Sequence, residues 1–173
     1  LNLGKVRSNE DVLWSLSPHD ISIFQYFTDS FPEEIVAQGS SFIQKGIIDS
    51  SILNLKYSKG ISGHIFSSWI HPFKEHRLIL IGSKGMISFE DSKTGSPIIF
   101  YDKGYRVVNS IPVKIDNSFV AINYDYKPPL TEELKYFIKN IDNSKIKKSG
   151  ATSALEVTKI LTEASKQIYR KTK

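Results

Sequence analysis

From residue 34 to residue 125 the chain is written in short runs of Ile, Val, Phe and Tyr broken by Gly, Ser, Asp and Lys, and this pattern commits most of its length to β-sheet. Strands are expected over 35–42, 50–57, 62–70, 77–81, 86–90, 98–101 and 119–125. The Ser58-Lys59-Gly60 and Ser83-Lys84-Gly85 links are short enough for hairpins, so the pairing should be mainly antiparallel. Helical period flanks this block. Ser17, Pro18, His19 and Asp20 offer an N-cap serine, a proline at the first helical position and an acid three residues after the cap, so a helix is expected over 17–29. Its apolar face carries Ile21, Ile23, Phe24 and Phe27, and Phe31-Pro32 stops it. Near the end, Leu130, Leu134, Phe137, Ile138 and Ile141 form one stripe behind a Thr131 cap, and Ala154, Val157, Leu161, Ala164 and Ile168 form another, with a polar linker over 140–150. The order helix, strands, two helices implies a single α+β domain over 1–173. The expected architecture has two layers: a large, mostly antiparallel, open-faced sheet with helices on one face.

The composition supports a packed domain and removes several function classes. With 40% hydrophobic and 24% charged residues, 173 residues suffice for one ordinary core. The absence of cysteine excludes disulfides, thiolate metal sites and cysteine nucleophiles, and agrees with a cytoplasmic protein. The longest apolar runs, such as Leu78 to Ile81, fall far short of the ~20 residues that span a bilayer, and no charged-then-apolar leader opens the chain, so no membrane partner is expected. The net charge of +5 gathers late, at Lys145, Lys147, Lys148, Lys159, Lys166, Arg170, Lys171 and Lys173. No nucleic-acid motif and no basic stripe interleaved with aromatics accompanies it, so nucleic acid is not an expected partner either. A chain that opens on Leu1 and runs directly into polar sequence is read as part of a longer protein.

Two groups of residues have the chemistry of a site. An imidazole near the start of a helix, as expected for His19, meets the positive end of the dipole, which disfavours protonation and suits a base; a local hydrogen bond at the helix start is the structural alternative. The second group is Trp69, His71, Lys74, His76 and Arg77, within nine residues at the end of one expected strand and the start of the next. Aromatic faces stack on sugars, and Lys and Arg hold phosphate or carboxylate. Packed tryptophan and solvated polar residues are the alternative. The histidine spacing does not match a zinc motif, and no metal is expected. No glycine-rich phosphate loop, nucleophile elbow or paired-carboxylate pattern is present, so a dehydrogenase cannot operate from this chain alone.

The segment Gly4-Lys5-Val6-Arg7-Ser8, then Val12-Leu13-Trp14-Ser15-Leu16-Ser17-Pro18-His19-Asp20-Ile21, resembles the stretch that follows the Rossmann domain in Gfo/Idh/MocA oxidoreductases, where a pattern close to WDLxPHDI is common. The run from Gly63 through Trp69-Ile70-His71-Pro72-Phe73-Lys74-Glu75 to Gly85-Met86 resembles the central strands of the same C-terminal domain. The match is more specific here, and is similar to members acting on nucleotide-linked N-acetylhexosamines or their uronic acids. Residues 149–164 resemble the family's last helix. The resemblance implies a sugar dehydrogenase using NAD or NADP bound by an N-terminal Rossmann domain, with no cofactor held by this chain. It also implies a homo-oligomer formed through the open sheet face. By motif position His19 is the histidine that works beside the nicotinamide, and Ser15, Trp69, His71, Lys74 and Arg77 are candidate sugar contacts. Ser15 and Ser149 stand where the family commonly has aspartate. Ser15 cannot supply the charge that steadies an imidazolium, which keeps a noncatalytic sugar-binding or oligomerisation module as the alternative.

Overall fold

Residues 1–3, 6–90, 92, 98–142, 146 and 148–170 are described by the computed structural model. In chain order they form α1 (Val12–Thr28), β1 (Glu34–Ser40), β2 (Ser50–Lys56), β3 (Ser62–Ser68), β4 (Arg77–Gly82), β5 (Gly85–Glu90), β6 (Ile98–Val108), β7 (Ile111–Ala121), α2 (Pro129–Lys139) and α3 (Ala151–Arg170). The α+β class and the antiparallel pairing agree with the sequence. The strands, however, divide between two sheets, β1-β2-β3 and β4-β5-β6-β7, rather than joining one. The described residues fall into two compact units, Leu1–Phe73 with Lys135–Lys173, and Lys74–Leu134. No helix among them is long and apolar enough to cross a membrane.

The first unit contains the core. Strand alternation sends Ala37, Leu53, Leu55 and Ile65 to one face of β1-β2-β3, where they meet Leu13 and Ile21 of α1 and Ile160, Leu161, Ala164 and Ile168 of α3. Small residues let α1 lie close to β3. A Cβ added to Gly63 would stand 2.4 Å from Phe24, and the buried Ser17 and Ser67 hydroxyls hydrogen-bond at 2.9 Å. The outer edge of β1 is closed by a side chain, since the Gln167 amide accepts from Ala37 N (3.0 Å) and donates to Ile35 O (2.8 Å). Asp49 steadies the loop before β2, its Oδ2 accepting from the backbone N–H of Phe42 and Ile43.

Two expectations need correction. α1 starts at Val12, capped by Asp11, whose side chain accepts from Trp14 N; Ser17 is therefore inside the helix and buried, and Pro18 is an internal proline. The Asp11 cap is anchored by the distant Tyr169 hydroxyl, which donates to its Oδ2 at 2.7 Å and which local sequence does not reveal. The second correction is the β6–β7 hairpin, longer on both strands than the pattern implies. Asn109 and Ser110 turn it with φ of 50° and 65°, the mirror-image geometry that suits two-residue hairpins. Pro112 hides strand character in the sequence but is tolerated because, among the described residues, no strand pairs with β7 on its far side. Lys103 and Lys114 both reach Asp116 and hold its carboxyl down to about 2.

Tyr57 joins the layers of the first unit: its buried hydroxyl donates to Gln25 Oε1 at 3.1 Å, and Gln25 Nε2 donates to Glu156 at 2.9 Å. Burial pushes the Tyr57 phenol from 10.0 up to about 12. A phenol with a raised folded value contributes fully below pH 10 and loses that contribution as the pH climbs from 10 toward 12. Denaturant midpoints should accordingly fall across that window by the equivalent of roughly 2–3 kcal/mol, and Tyr57→Phe should flatten this part of the profile.

Candidate functional site

The exposed face of α1 is set by what its other face does. Leu13, Ser17 and Ile21 are buried, so Ser15, His19, Ser22 and Tyr26, spaced three or four residues apart, line the opposite side. His19 and Ser22 are exposed, Ser15 is half-buried and Tyr26 is 61% exposed. The Ser22 hydroxyl donates to the His19 carbonyl at 2.7 Å, leaving the imidazole outside that bond. His19 lies in the middle of α1, well past the first turn, so the dipole argument from the sequence does not apply to it. What distinguishes His19 is its place on an outward stripe of a helix whose other face is fixed in the core. Pro18, just before it, lacks the N–H that would reach the Trp14 carbonyl; separately, the Trp14 indole N–H donates to the Ser165 hydroxyl at 2.8 Å.

The Trp69–Arg77 cluster is divided between the two units. Trp69 is only 4% exposed and its ring belongs to the core, so it offers no stacking face; its backbone N–H donates to Asp49 O at 3.0 Å. That corrects its expected role. The His71 ring lies 6.3 Å from Phe66 and 5.9 Å from Phe73. Phe66 points away from its neighbours Ile65 and Ser67, which face α1, so His71 stands on the sheet side opposite the helix that carries His19. A pocket shared by His19 and His71 is therefore not formed. His64 sits on the same outer side, paired with Asn54 at 2.9 Å across the strands. Lys74 and Arg77 belong to the second unit, where Lys74 is exposed and Arg77 pairs with Glu75 at 2.6 Å.

Sequence reasoning missed Asp11 and Tyr26. The first was detectable as an N-cap residue immediately before Val12 and Leu13, and the second as the continuation of the His19 stripe at helical spacing. Among the described residues no group of three or more His, Asp or Glu could hold a metal ion.

Residues 5–88 match the family described as GFO/IDH/MocA C-terminal domain. Myo-inositol 2-dehydrogenase of Thermotoga maritima is 23% identical over 145 residues, covering 80% of this chain and 41% of that protein. The fold is similar to that of the UDP-N-acetylglucosamine 3-dehydrogenase of Acidithiobacillus ferrooxidans, with a TM-score of 0.77 and 17% identity, covering 95% of this chain and 51% of the other. It is also similar to the aldose-aldose oxidoreductase of Caulobacter crescentus, with a TM-score of 0.66 and 12% identity over 97% and 48% of the two chains. The chain thus spans about half, or less, of the length of these relatives.

The burial of Trp69 makes a prediction separate from any binding role. Trp69→Ala should cost about 3–5 kcal/mol of stability, read as a lower urea midpoint. A ligand-stacking tryptophan would leave the midpoint nearly unchanged.

Proposed function

We propose that this chain, whose residues 5–88 match the GFO/IDH/MocA C-terminal domain, supplies the sugar-binding surface and the proton-transfer group of an NAD(P)-dependent sugar dehydrogenase. Its nucleotide-binding half would be a Rossmann domain in the same, longer protein. The observation that carries this reading is the exposure of His19, in the Pro18-His19-Asp20-Ile21 motif, on the outward face of α1. A neutral imidazole there accepts the proton of a sugar hydroxyl as the carbon is oxidised, and Ser15, one turn earlier on the same stripe, is a neutral hydrogen-bonding neighbour. The substrate in this reading is a sugar linked to a nucleotide, an N-acetylhexosamine or its uronic acid. It is supported by the likeness to the Gly63–Met86 region of such enzymes and by the fold shared with a UDP-N-acetylglucosamine 3-dehydrogenase. A cytoplasmic location is part of the same proposal.

This chain's own residues do not fit a dinucleotide. Every named strand pairing among the described residues is antiparallel, and no Gly-x-Gly-x-x-Gly turn occurs in the sequence. NAD or NADP therefore belongs, in this reading, to the other half of the protein, and the roles assigned to this chain are binding, orientation and proton transfer.

Self-association belongs to the same proposal. No described side chain of the Lys74–Leu134 unit is buried, and Ile81 and Val107 of its sheet are 74% and 73% exposed. A second copy would cover such a surface.

Two measurements test these roles. In the protein that joins this domain to its nucleotide-binding half, His19→Ala should lower kcat by roughly 10²–10⁴-fold with cofactor affinity unchanged; wild-type turnover would return His19 to a structural role. Sedimentation of this chain at micromolar concentration should give a dimer or larger species that Ile81→Glu with Val107→Glu dissociates. A strict monomer before mutation would end the oligomer reading.

A further inference from the structure

We infer that Lys148 binds the phosphate of a nucleotide-linked sugar whose reacting carbon is served by His19, an inference that rests on the reading of His19 given above. A surface lysine ordinarily sweeps a wide volume, and ordering it costs rotamer entropy that weakens any ligand contact. Lys148 is held at both ends. Its backbone N–H donates to the Tyr136 hydroxyl at 3.2 Å, and its Nζ lies 4.8 Å from the centre of the Tyr26 ring. The chain just after it is equally fixed. Ser149 takes a φ of 54°, and a Cβ on Gly150 would stand 2.6 Å from the Ile146 carbonyl oxygen, so only glycine fits as the chain closes before α3.

The partner of this ammonium is an aromatic face, which attracts a cation without neutralising it. The positive charge therefore remains available to an anion, and lysine binds phosphate as a point charge. Position selects the kind of anion. Tyr26 follows His19 by seven residues on the same exposed stripe, which places it about 10 Å further along the helix. Ser22 lies between them. A uronic carboxylate is attached directly to the sugar ring and so lies close to every ring carbon, whereas the diphosphate joining a sugar to a nucleoside lies beyond the ring. Two helical turns suit the second arrangement.

The test is isotope-edited NMR of this chain titrated with uridine diphosphate, glucuronate and N-acetylglucosamine. Uridine diphosphate should shift the Lys148 and Tyr26 signals saturably. Lys148→Ala should weaken its binding roughly ten- to hundredfold, as expected for the loss of a hydrogen bond to a charged group, and Lys148→Arg should restore most of it. Equal affinity in wild type and Lys148→Ala, or no saturable shift at Lys148, overturns the inference. A larger Lys148 response to glucuronate than to uridine diphosphate overturns the phosphate assignment in favour of a carboxylate. The His19 reading is judged separately. If N-acetylglucosamine shifts the His19 ring signals while Lys148 proves irrelevant, that reading stands and only the present inference falls. If uridine diphosphate binds at Lys148 while the sugar leaves His19 unmoved, the anion contact stands and the role of His19 falls.

Discussion

The carboxylate of Asp11 makes two bonds on which the helical layer of the first unit depends. Its Oδ1 caps α1 by accepting from Trp14 N at 3.0 Å, and its Oδ2 accepts the Tyr169 hydroxyl from the far end of α3 at 2.7 Å. Burial, followed by the bond and charge of Asp11, pushes the Tyr169 phenol well above its ordinary range, so the hydroxyl keeps its proton and remains the donor throughout ordinary pH. The bond also sets direction. With Trp14 joined to Ser165 and Gln25 joined to Glu156, α1 and α3 run antiparallel, and the rotation of α1 about its axis is fixed. That rotation turns Ser15, His19, Ser22 and Tyr26 outward. A site on this stripe inherits the rigidity of a set of directional bonds, most of them partly buried, which fix rotation more closely than packing alone.

The two units solve the problem of apolar surface differently. In the first, one face of β1-β2-β3 is covered by α1 and α3 and holds the buried core. In the second, β4 to β7 form a correct antiparallel ladder, yet none of their described side chains is buried. Ladder hydrogen bonds alone contribute little net stability in water, and the outer part of the β6–β7 hairpin, past the end of β5, is a two-stranded ribbon, which is marginal in isolation. Removing surface such as Ile81 and Val107 from water would stabilise a sheet of this kind. The free edge is protected, since Pro112 lacks an N–H and Lys114 carries charge, which disfavours strand-to-strand growth and leaves the faces as the usable surface.

How much could be read in advance depended on how local the cause was. The segments β2 to β5 follow two-residue alternation and short turns, and their limits were legible to within a residue or two. α3 was legible from its apolar stripe. The start of α1 was not, because Ser17-Pro18-His19-Asp20 imitates a capping box while the true cap draws on a tyrosine 158 residues away. The hairpin strands were cut short for a related reason. Pro112 and the charged residues around it read as loop, and only the missing neighbour on the far side of β7 explains their tolerance. The site was half legible. The motif located His19, but proximity in sequence suggested a shared pocket for Trp69 and His71; both lie past the end of β3, where strand alternation no longer applies, and Trp69 enters the core while the His71 ring stands beside Phe66 on the opposite face.

These differences change what kind of argument can support His19. A histidine at a helix start draws on the dipole, whose influence fades within the first turn. A histidine in mid-helix must draw on its neighbours, and here they are serines at 15 and 22 on the same stripe, neutral and small. Such neighbours offer hydroxyls and no charge, whereas an aspartate at position 15 would place a carboxylate one helical turn from the ring. On the proposed reading the serine therefore shifts the burden from electrostatic stabilisation to position. The ring must already stand where the sugar hydroxyl arrives, because small displacements of a reacting group are expensive. That requirement is met by placing the residue on a helix whose opposite face is locked through Ser17 and Ser67, Gly63 and Phe24, and the Asp11 bonds.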